Sequence, residues 1–505
     1  MLALLAVIGT MHFEADVHAG DGDYDLVTFD VPAGTQEIQV DHTDGSDTDI
    51  LDWGVWSPEG FRGWGGGLTD PAIIGVQASS RGYLPGAITP GTWTVVVGEA
   101  KLPTGTGHYV IDVTFRDAPT LAPQTRAPFA PVVVKPGARW YRGDFHVHDT
   151  ESGDAKASIA DVIALARSRG LDFVELSDHN TDSQLGLQAV AQQSLTDLLL
   201  LRGVEVTTYH GHGNALGATD YIDHRVGLGG VDAASIVAAA HQQGALFFVN
   251  HPVLDLGDVC IGCAWKQDVD WSQVAGLEIQ NGNVTVSEVL FTPQAIKLWD
   301  QILDGGAKVA AIGGSDDHTA GVDETNTGSP IGSPTTLVYA TELSEAAIKD
   351  AVAHGRTQVL IPGPDLPAID LTIATPTGDA RIGDTATGIS HVELTATLEG
   401  AAPADATLGI WRDGEKIDQI ALDGAGADFS HVFHYDAQGG LERFRAEMVS
   451  GGLRVVVTSH VWVDGTKPAP EGCGCRASTS LRPNGILAAA VAMALARRRR
   501  RARRP

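Results

Sequence analysis

Basic residues are the first shortage: 34 Lys and Arg stand against 63 Asp and Glu in 505 residues, a formal charge of -29. Nine of those arginines fall within residues 476–505, which hold no acid, so the body of the chain is more acidic still. Nucleic-acid binding takes most of its affinity from a basic footprint. The body lacks one, and a DNA or RNA partner is not expected. Cysteine is equally sparse: the four form two close pairs, Cys260-Ile-Gly-Cys263 and Cys473-Gly-Cys475. A disulfide-built scaffold needs more, and with no second C-x-x-C a zinc ribbon is excluded. The pair Cys260/Cys263 is left as a local disulfide, as free thiols bracing the loop after His251, or as half a metal site. No G-x-S-x-G elbow marks a nucleophilic serine, and no motif marks either cysteine as one. The tail run Ile486–Ala496 is apolar but falls short of the ~20 residues that a membrane span needs.

What the chain does have is glycine, 60 residues of it, and repeated alternation. Met1–Gly9 is a short apolar stretch with no basic residue ahead of it; residues 1–10 read as a possible remnant of a secretory signal or as a first strand. Residues 11–118 alternate apolar and polar side chains in short runs such as Tyr24–Val31, Gln36–Val40, Trp93–Val97 and Tyr109–Thr114. Turn residues separate them, which predicts an N-terminal β-sandwich. Trp53, Trp56 and Trp64 are expected in its core. Residues 119–138 are a proline-rich linker. Between 139 and 363 strand and helix signals alternate. Ser158 and Asp161 predict a capping-box start for a helix ended by Gly170, and further helices are expected at Ala233–Gln243 and Val286–Leu303. Strands are expected at Leu171–Ser177, Ala245–Asn250 and Lys308–Gly313. Such alternation argues for an α/β segment with parallel strands. From 364 to 466 the pattern returns to β, at Ala368–Ile373, His391–Leu398, Thr407–Trp411, Arg443–Val449 and Arg454–Trp462, a second sandwich. Residues 467–505 form a tail.

The chemistry is concentrated in the α/β segment. His146-Val147-His148 stands where a strand should end, and the period of two directs both imidazoles to one side. The same parity in Asp316-Asp317-His318 projects Asp316 and His318 together and turns Asp317 away, as Asp178 is turned from His179. Glu205, His212 and His251 add further donors. One such pair would be a hydrogen-bonded histidine; this many in one βα segment argues for bound metal. Outside the set, His241 is expected to pack and His354 to end a helix beside Gly355. Arg225 and Lys266 are the nearest cations that could meet a phosphate.

The motifs Gly143-Asp-Phe-His-Val-His148, Glu175-Leu-Ser-Asp-His-Asn180, Gly203-Val-Glu-Val-Thr-Thr208, Asn250-His-Pro252 and Gly314-Ser-Asp-Asp-His-Thr319 resemble, in order, those of the PHP (polymerase and histidinol phosphatase) superfamily. They are most similar to its CehA/McbA branch of metallohydrolases, which includes carbaryl hydrolases. The resemblance implies a distorted (β/α)7 barrel holding two or three divalent transition metals, zinc, manganese or iron, at strand C-terminal ends. Its ligand pattern maps onto His146, His148, Asp154, His179, Glu205, His212, Asp316, His251 and His318. Glu205 is the bridging carboxylate, and His210 competes with His212. Catalysis is assigned to Glu205, Asp316 and His318. The implied activity is hydrolysis of a small-molecule ester by metal-activated water, foremost a phosphate mono- or diester, alternatively a carbamate or carboxylester. A non-catalytic surface binding module is the third reading. The tail, with Cys473-Gly-Cys475 before an apolar run and Arg497–Arg501, resembles the myxobacterial MYXO-CTERM sorting tag. That implies an exported protein at the cell surface, outer membrane or outside the cell, touching the membrane only through the tag before processing.

Overall fold

The computed structural model describes residues 6–257, 260–283, 291–320 and 329–468. Residues 469–505, with the cysteine pair of the segment read as a sorting tag, and the start of the helix expected from Val286, lie outside those residues. No helix among the described residues is long and apolar enough to cross a membrane.

Alternation builds the N-terminal region. In the strand Thr106–Arg116 every second residue, Tyr109, Ile111, Val113 and Phe115, is buried. The strand lies between Val7–His18 and Glu37–Thr43, and Ala72–Gly75 completes an antiparallel sheet of four. Val7–Gly9, in the stretch read as a possible signal remnant, are part of this sheet. A second antiparallel four, in the order Tyr24–Val31, Gly91–Lys101, Ile50–Ser57 and Gly60–Gly66, shares one core with the first around Trp93, Trp53 and Ile38. Trp53 is in that core as expected. Trp64 is buried at its margin and faces the cavity described below.

The strands that carry the histidine motifs lie in two sheets. Lys135–Val147, Phe173–Leu176 and Leu199–Arg202 run parallel. Leu246–Val249, Gly276–Asn281 and Ala310–Gly314 run parallel in a second sheet, extended by the antiparallel Glu205–Thr208 and Gly211–Leu216. Single parallel bridges between Val147 and Asp317 and between His179 and Glu205 join the two sheets at the ends of strands. The ends of the motif strands therefore meet at one place. Helices pack outside. Ile159–Ser168 starts with the predicted capping box from Ser158 and Asp161 and buries Val162 and Ala166; Ala233–Gln242, Ser183–Gln192, Thr292–Asp304 and Glu345–Ala353 are the other α-helices among the described residues. The result is a mixed α/β chain with many strands and few helices.

The first of these sheets does not stop at residue 363. Lys135–Val147 pairs with Thr335–Leu343, then Thr357–Leu360, then Leu453–Thr458 of the C-terminal region. Continuous hydrogen bonding thus crosses the boundary read from the sequence. Against this sheet lies a smaller one, Ala380–Arg381, Ala368–Ile373, His391–Glu399 and Ser430–Asp436, over a core of Leu371, Leu394, Ile410 and Phe444. The run Arg454–Trp462, expected as one strand, is two: Leu453–Thr458 and Val461–Gly465, broken at Ser459-His460. The proline-rich segment is pinned by Gln124 and Ala127, whose N–H groups donate to Gln77 O and Gly186 O at 3.0 Å each.

Candidate metal centre

Glu205 opens its strand and is wholly buried, with five imidazoles around it. Its Oε1 is 3.2 Å from His146 Nε2, 3.4 Å from His251 Nε2 and 3.6 Å from His212 Nδ1. Its Oε2 is 2.7 Å from His179 Nδ1 and 3.6 Å from His148 Nε2. Asp316 faces the same space, with Oδ1 at 3.3 Å from both His146 Nε2 and His148 Nε2 and Oδ2 at 4.0 Å from His251 Nε2. Asp154 closes the outer side, 3.3 Å from His318 Nε2 and 3.6 Å from His179 Nε2; its side chain is 60% exposed. All nine residues singled out from the sequence are therefore gathered here. His212 is buried within this set, whereas His210 is exposed and faces Asp23 at 3.2 Å.

The parity argument for Asp316 and His318 does not hold as stated. Their strand ends at Gly314, and Asp316 takes a left-handed backbone, φ +57°. His251 is likewise left-handed at φ +26°. Non-glycine residues rarely adopt this region, and where they do the surrounding structure holds them there. Asp317 and Asp178 do turn away, and both brace backbone. Asp317 accepts the N–H groups of Thr319 at 2.7 Å and Ile331 at 3.0 Å, and Asp178 accepts that of Asp149 at 2.8 Å.

Outer partners fix the rings. His146 Nδ1 is 2.9 Å from Glu278 Oε1 and His148 Nδ1 is 3.1 Å from Ser152 Oγ. The Nδ1–H groups of His251 and His318 donate to Cys263 O at 3.1 Å and Asp316 O at 2.9 Å, and His212 Nε2–H donates to Ile261 O at 3.2 Å. In each of these five rings one nitrogen is engaged by such a partner and the other faces the remaining donors, the arrangement that metal-ligating histidines show. His146 Nε2 and His148 Nε2 are buried without a hydrogen bond. Buried polar groups left unsatisfied cost free energy, and a cation bound by these donors would satisfy them. The donor set of nitrogens and carboxylate oxygens fits a divalent transition metal.

Glu278 was not foreseen. Its other oxygen, Oε2, accepts the His251 N–H at 2.7 Å, so one carboxylate orients two histidines. The available signal was an acid within Gly276-Leu-Glu-Ile-Gln-Asn281, a strand buried along its whole length, since Glu is rarely buried without a partner.

Electrostatics follow from burial and crowding. Burial raises the Glu205 carboxyl, but His146 and His179 outweigh it and hold the group well below the usual carboxylate range. Asp316 is held low in the same way by His146, His148, His318 and His251. Burial lowers His318, yet Asp154 and Asp316 lift it to about 9. His148 drops to about 3, pushed by burial and by the neighbouring His318 and His179. Without a cation, protons on some of the histidines balance the carboxylates.

A cavity of about 1000 Å³ opens onto His179, His212, His251, Asp316 and His318. Its other walls include Ile50, Asp52, Trp64 and Leu68 from the N-terminal sandwich and Leu254, Leu256, Ile261 and Phe291 from the α/β segment. Neither Arg225 nor Lys266 reaches it. Arg225 is paired with Asp223 at 2.8 Å and lies over the Trp56 ring, and Lys266 lines a separate groove beside His210. His241 is exposed on the last turn of its helix and does not pack as expected, while His354 caps its helix. Cys260 and Cys263 form a disulfide.

No family model matches this sequence, and no curated protein does. Among solved structures, a two-domain protein from Bacteroides vulgatus, described as containing a predicted PHP-like metal-dependent phosphoesterase, is 18% identical. The match covers 67% of this chain and 100% of that one with a TM-score of 0.36. A β-glucuronidase from Bacteroides uniformis is 10% identical over 88% of this chain and 74% of its own, with a TM-score of 0.19. Both likenesses are low, and the metal centre stands on its own donor set.

Proposed function

We propose that this chain is a metal-dependent hydrolase of the PHP type, similar to the CehA/McbA branch, acting on a small-molecule ester, with a phosphoester as the first substrate to test. The observation that carries the proposal is Glu205, a buried carboxylate whose two oxygens face two different groups of histidines, His146, His212 and His251 on one side and His148 and His179 on the other. One tetrahedral ion cannot use so many donors, so two or three ions, zinc, manganese or iron, are proposed.

Bound divalent cations would supply an acidified water and polarise the oxygen under attack. The chain does the rest. Glu205 and Asp316 stay ionised, so their charge compensates cations and does not take up the reaction's proton. His318, its side chain 25% exposed and its Nε2 3.3 Å from Asp154, would hold a cation at the outer edge of the set, its ring fixed by the Nδ1–H donated to Asp316 O. Ile50, Leu68, Leu254 and Leu256 give the cavity apolar walls against which the ester's substituents would pack.

A second reading is favoured by one feature: no Lys or Arg is among the described residues that line the cavity. Phosphate recognition normally recruits such groups, so a neutral carboxylester or carbamate fits the walls better than a dianionic monoester. Metal analysis of purified protein, coupled to a screen of nitrophenyl phosphates, phosphodiesters, carboxylesters and carbamates, tests both. Fewer than one metal ion per folded chain would refute the metal site, and turnover confined to neutral esters would move the assignment to the second reading.

A further inference from the structure

We propose that the Cys260–Cys263 disulfide is a positioning element for His212 and His251, coupling the thiol redox state of one loop to the affinity of the metal centre. The inference rests on the metal reading above and goes beyond it. The disulfide closes a turn of four residues, Cys260 to Cys263. Two carbonyls of that closed turn point at the centre. Ile261 O accepts from His212 Nε2–H at 3.2 Å, and Cys263 O accepts from His251 Nδ1–H at 3.1 Å.

A carbonyl can only accept, so each contact fixes which nitrogen of its ring carries the proton. The bare nitrogens are then Nδ1 of His212 and Nε2 of His251. These are the atoms 3.6 Å and 3.4 Å from the same Glu205 oxygen. The turn is seated tightly. Gly262 has φ +74°, and a Cβ there would lie 2.5 Å from Thr208 O and 2.8 Å from Tyr209 Cα. Cys263 is buried. Cross-linking a short loop restricts the conformations its backbone can visit. Once the bond is reduced, nothing covalent holds both carbonyls at the spacing the two rings require.

Cobalt(II) is the probe, because its visible spectrum reports ligand field and its affinity can be read by chelator competition. Three forms of the full chain are compared: oxidised wild type, wild type reduced by a water-soluble phosphine that is then removed, and Cys260→Ser/Cys263→Ser. In the reduction two electrons and two protons go to the sulfurs, and the phosphine takes oxygen from water to become its oxide. Reduced wild type and the double variant should both bind cobalt about tenfold more weakly, the lower end of what outer partners of ligands contribute. Their d–d bands should shift, with no sulfur-to-cobalt charge-transfer band. Gly262→Ala, with the disulfide intact, should move the same carbonyls and give a similar loss; thermal unfolding of each form verifies that it is folded. Unchanged affinity and spectrum on reduction would overturn the proposal. So would a charge-transfer band in the reduced wild type that the serine variant lacks, because Cys263 would then be a ligand. Failure of oxidised wild type to bind cobalt at all would instead refute the metal reading, and this proposal with it.

Discussion

At His146 the two ring nitrogens have different tasks, and the distinction yields a test. Nδ1 faces Glu278 at 2.9 Å and Nε2 faces Glu205 and Asp316 at 3.2 and 3.3 Å. Glu278→Ala should leave every proposed ligand in place yet weaken metal binding by about 10–100-fold, the loss typical of removing an orienting partner. Glu205→Gln and Asp316→Asn should abolish turnover in folded protein, and His241→Gln, exposed on its helix, should change it little. Comparable losses in all three would mean that ligands have been confused with surface histidines. Proton uptake gives a further check. The folded pKa of His318 is raised from 6.5 to about 9. In metal-free protein its contribution to stability is therefore full below 6.5 and is lost as pH rises through about 9. A ligand nitrogen must be unprotonated to bind a cation. Metal addition at neutral pH should release protons, and metal affinity should rise with pH over the same interval. Calorimetry in buffers of different ionisation enthalpy reads the release directly; no dependence on buffer would argue against these assignments.

Elements explain why part of this was legible beforehand and part was not. Alternation revealed Thr106–Arg116 because one sheet face is buried and the other wet, and a one-residue slip would exchange them. His146 and His148 were readable for the same reason. Asp316 was readable from its motif but not from alternation, because its backbone is left-handed beyond a strand end, and no side-chain periodicity encodes that. Nor could alternation show that the sheet runs on past residue 363, since pairing partners are far apart in sequence. What holds the strand ends in register is Asp144. Its carboxylate accepts the N–H groups of His146 at 3.1 Å, Ser315 at 3.0 Å and Gly332 at 2.7 Å, tying the His146 strand to the Asp316 segment. Asp144→Ala would strand three donors in a buried place. It should cost about 3 kcal/mol or more in denaturant unfolding and lower metal content with it, whereas Asp144→Asn, which keeps one acceptor oxygen, should cost less. Equal stability of the alanine variant and wild type would refute this role.

For the whole molecule the consequence is that the metal donors come from one part of the chain while their cavity is walled by two. Donors come from residues 146–318, but Ile50, Asp52, Trp64 and Leu68 wall the cavity from the N-terminal sandwich. The two are fastened together. Tyr209, four residues past Glu205, donates its hydroxyl to Asp52 Oδ2 at 2.8 Å, and the Gly82 N–H donates to Glu151 Oε2 at 3.2 Å. Burial pushes the Asp52 carboxyl up to about 6 despite that hydroxyl. If the sandwich takes part in choosing the substrate, a charge placed on its wall must change preference without touching a metal donor. Leu68→Arg brings a guanidinium to a cavity whose described lining has no Lys or Arg. It should raise KM for neutral nitrophenyl esters and lower it for nitrophenyl phosphodiesters, each by about tenfold, equivalent to about 1.4 kcal/mol of binding. The kcat for each and the metal content should stay near wild type, because no donor has moved. Opposite shifts in the two KM values would make the sandwich part of the active site. A fall in kcat for both substrates with no change in their KM ratio would reduce it to a structural support.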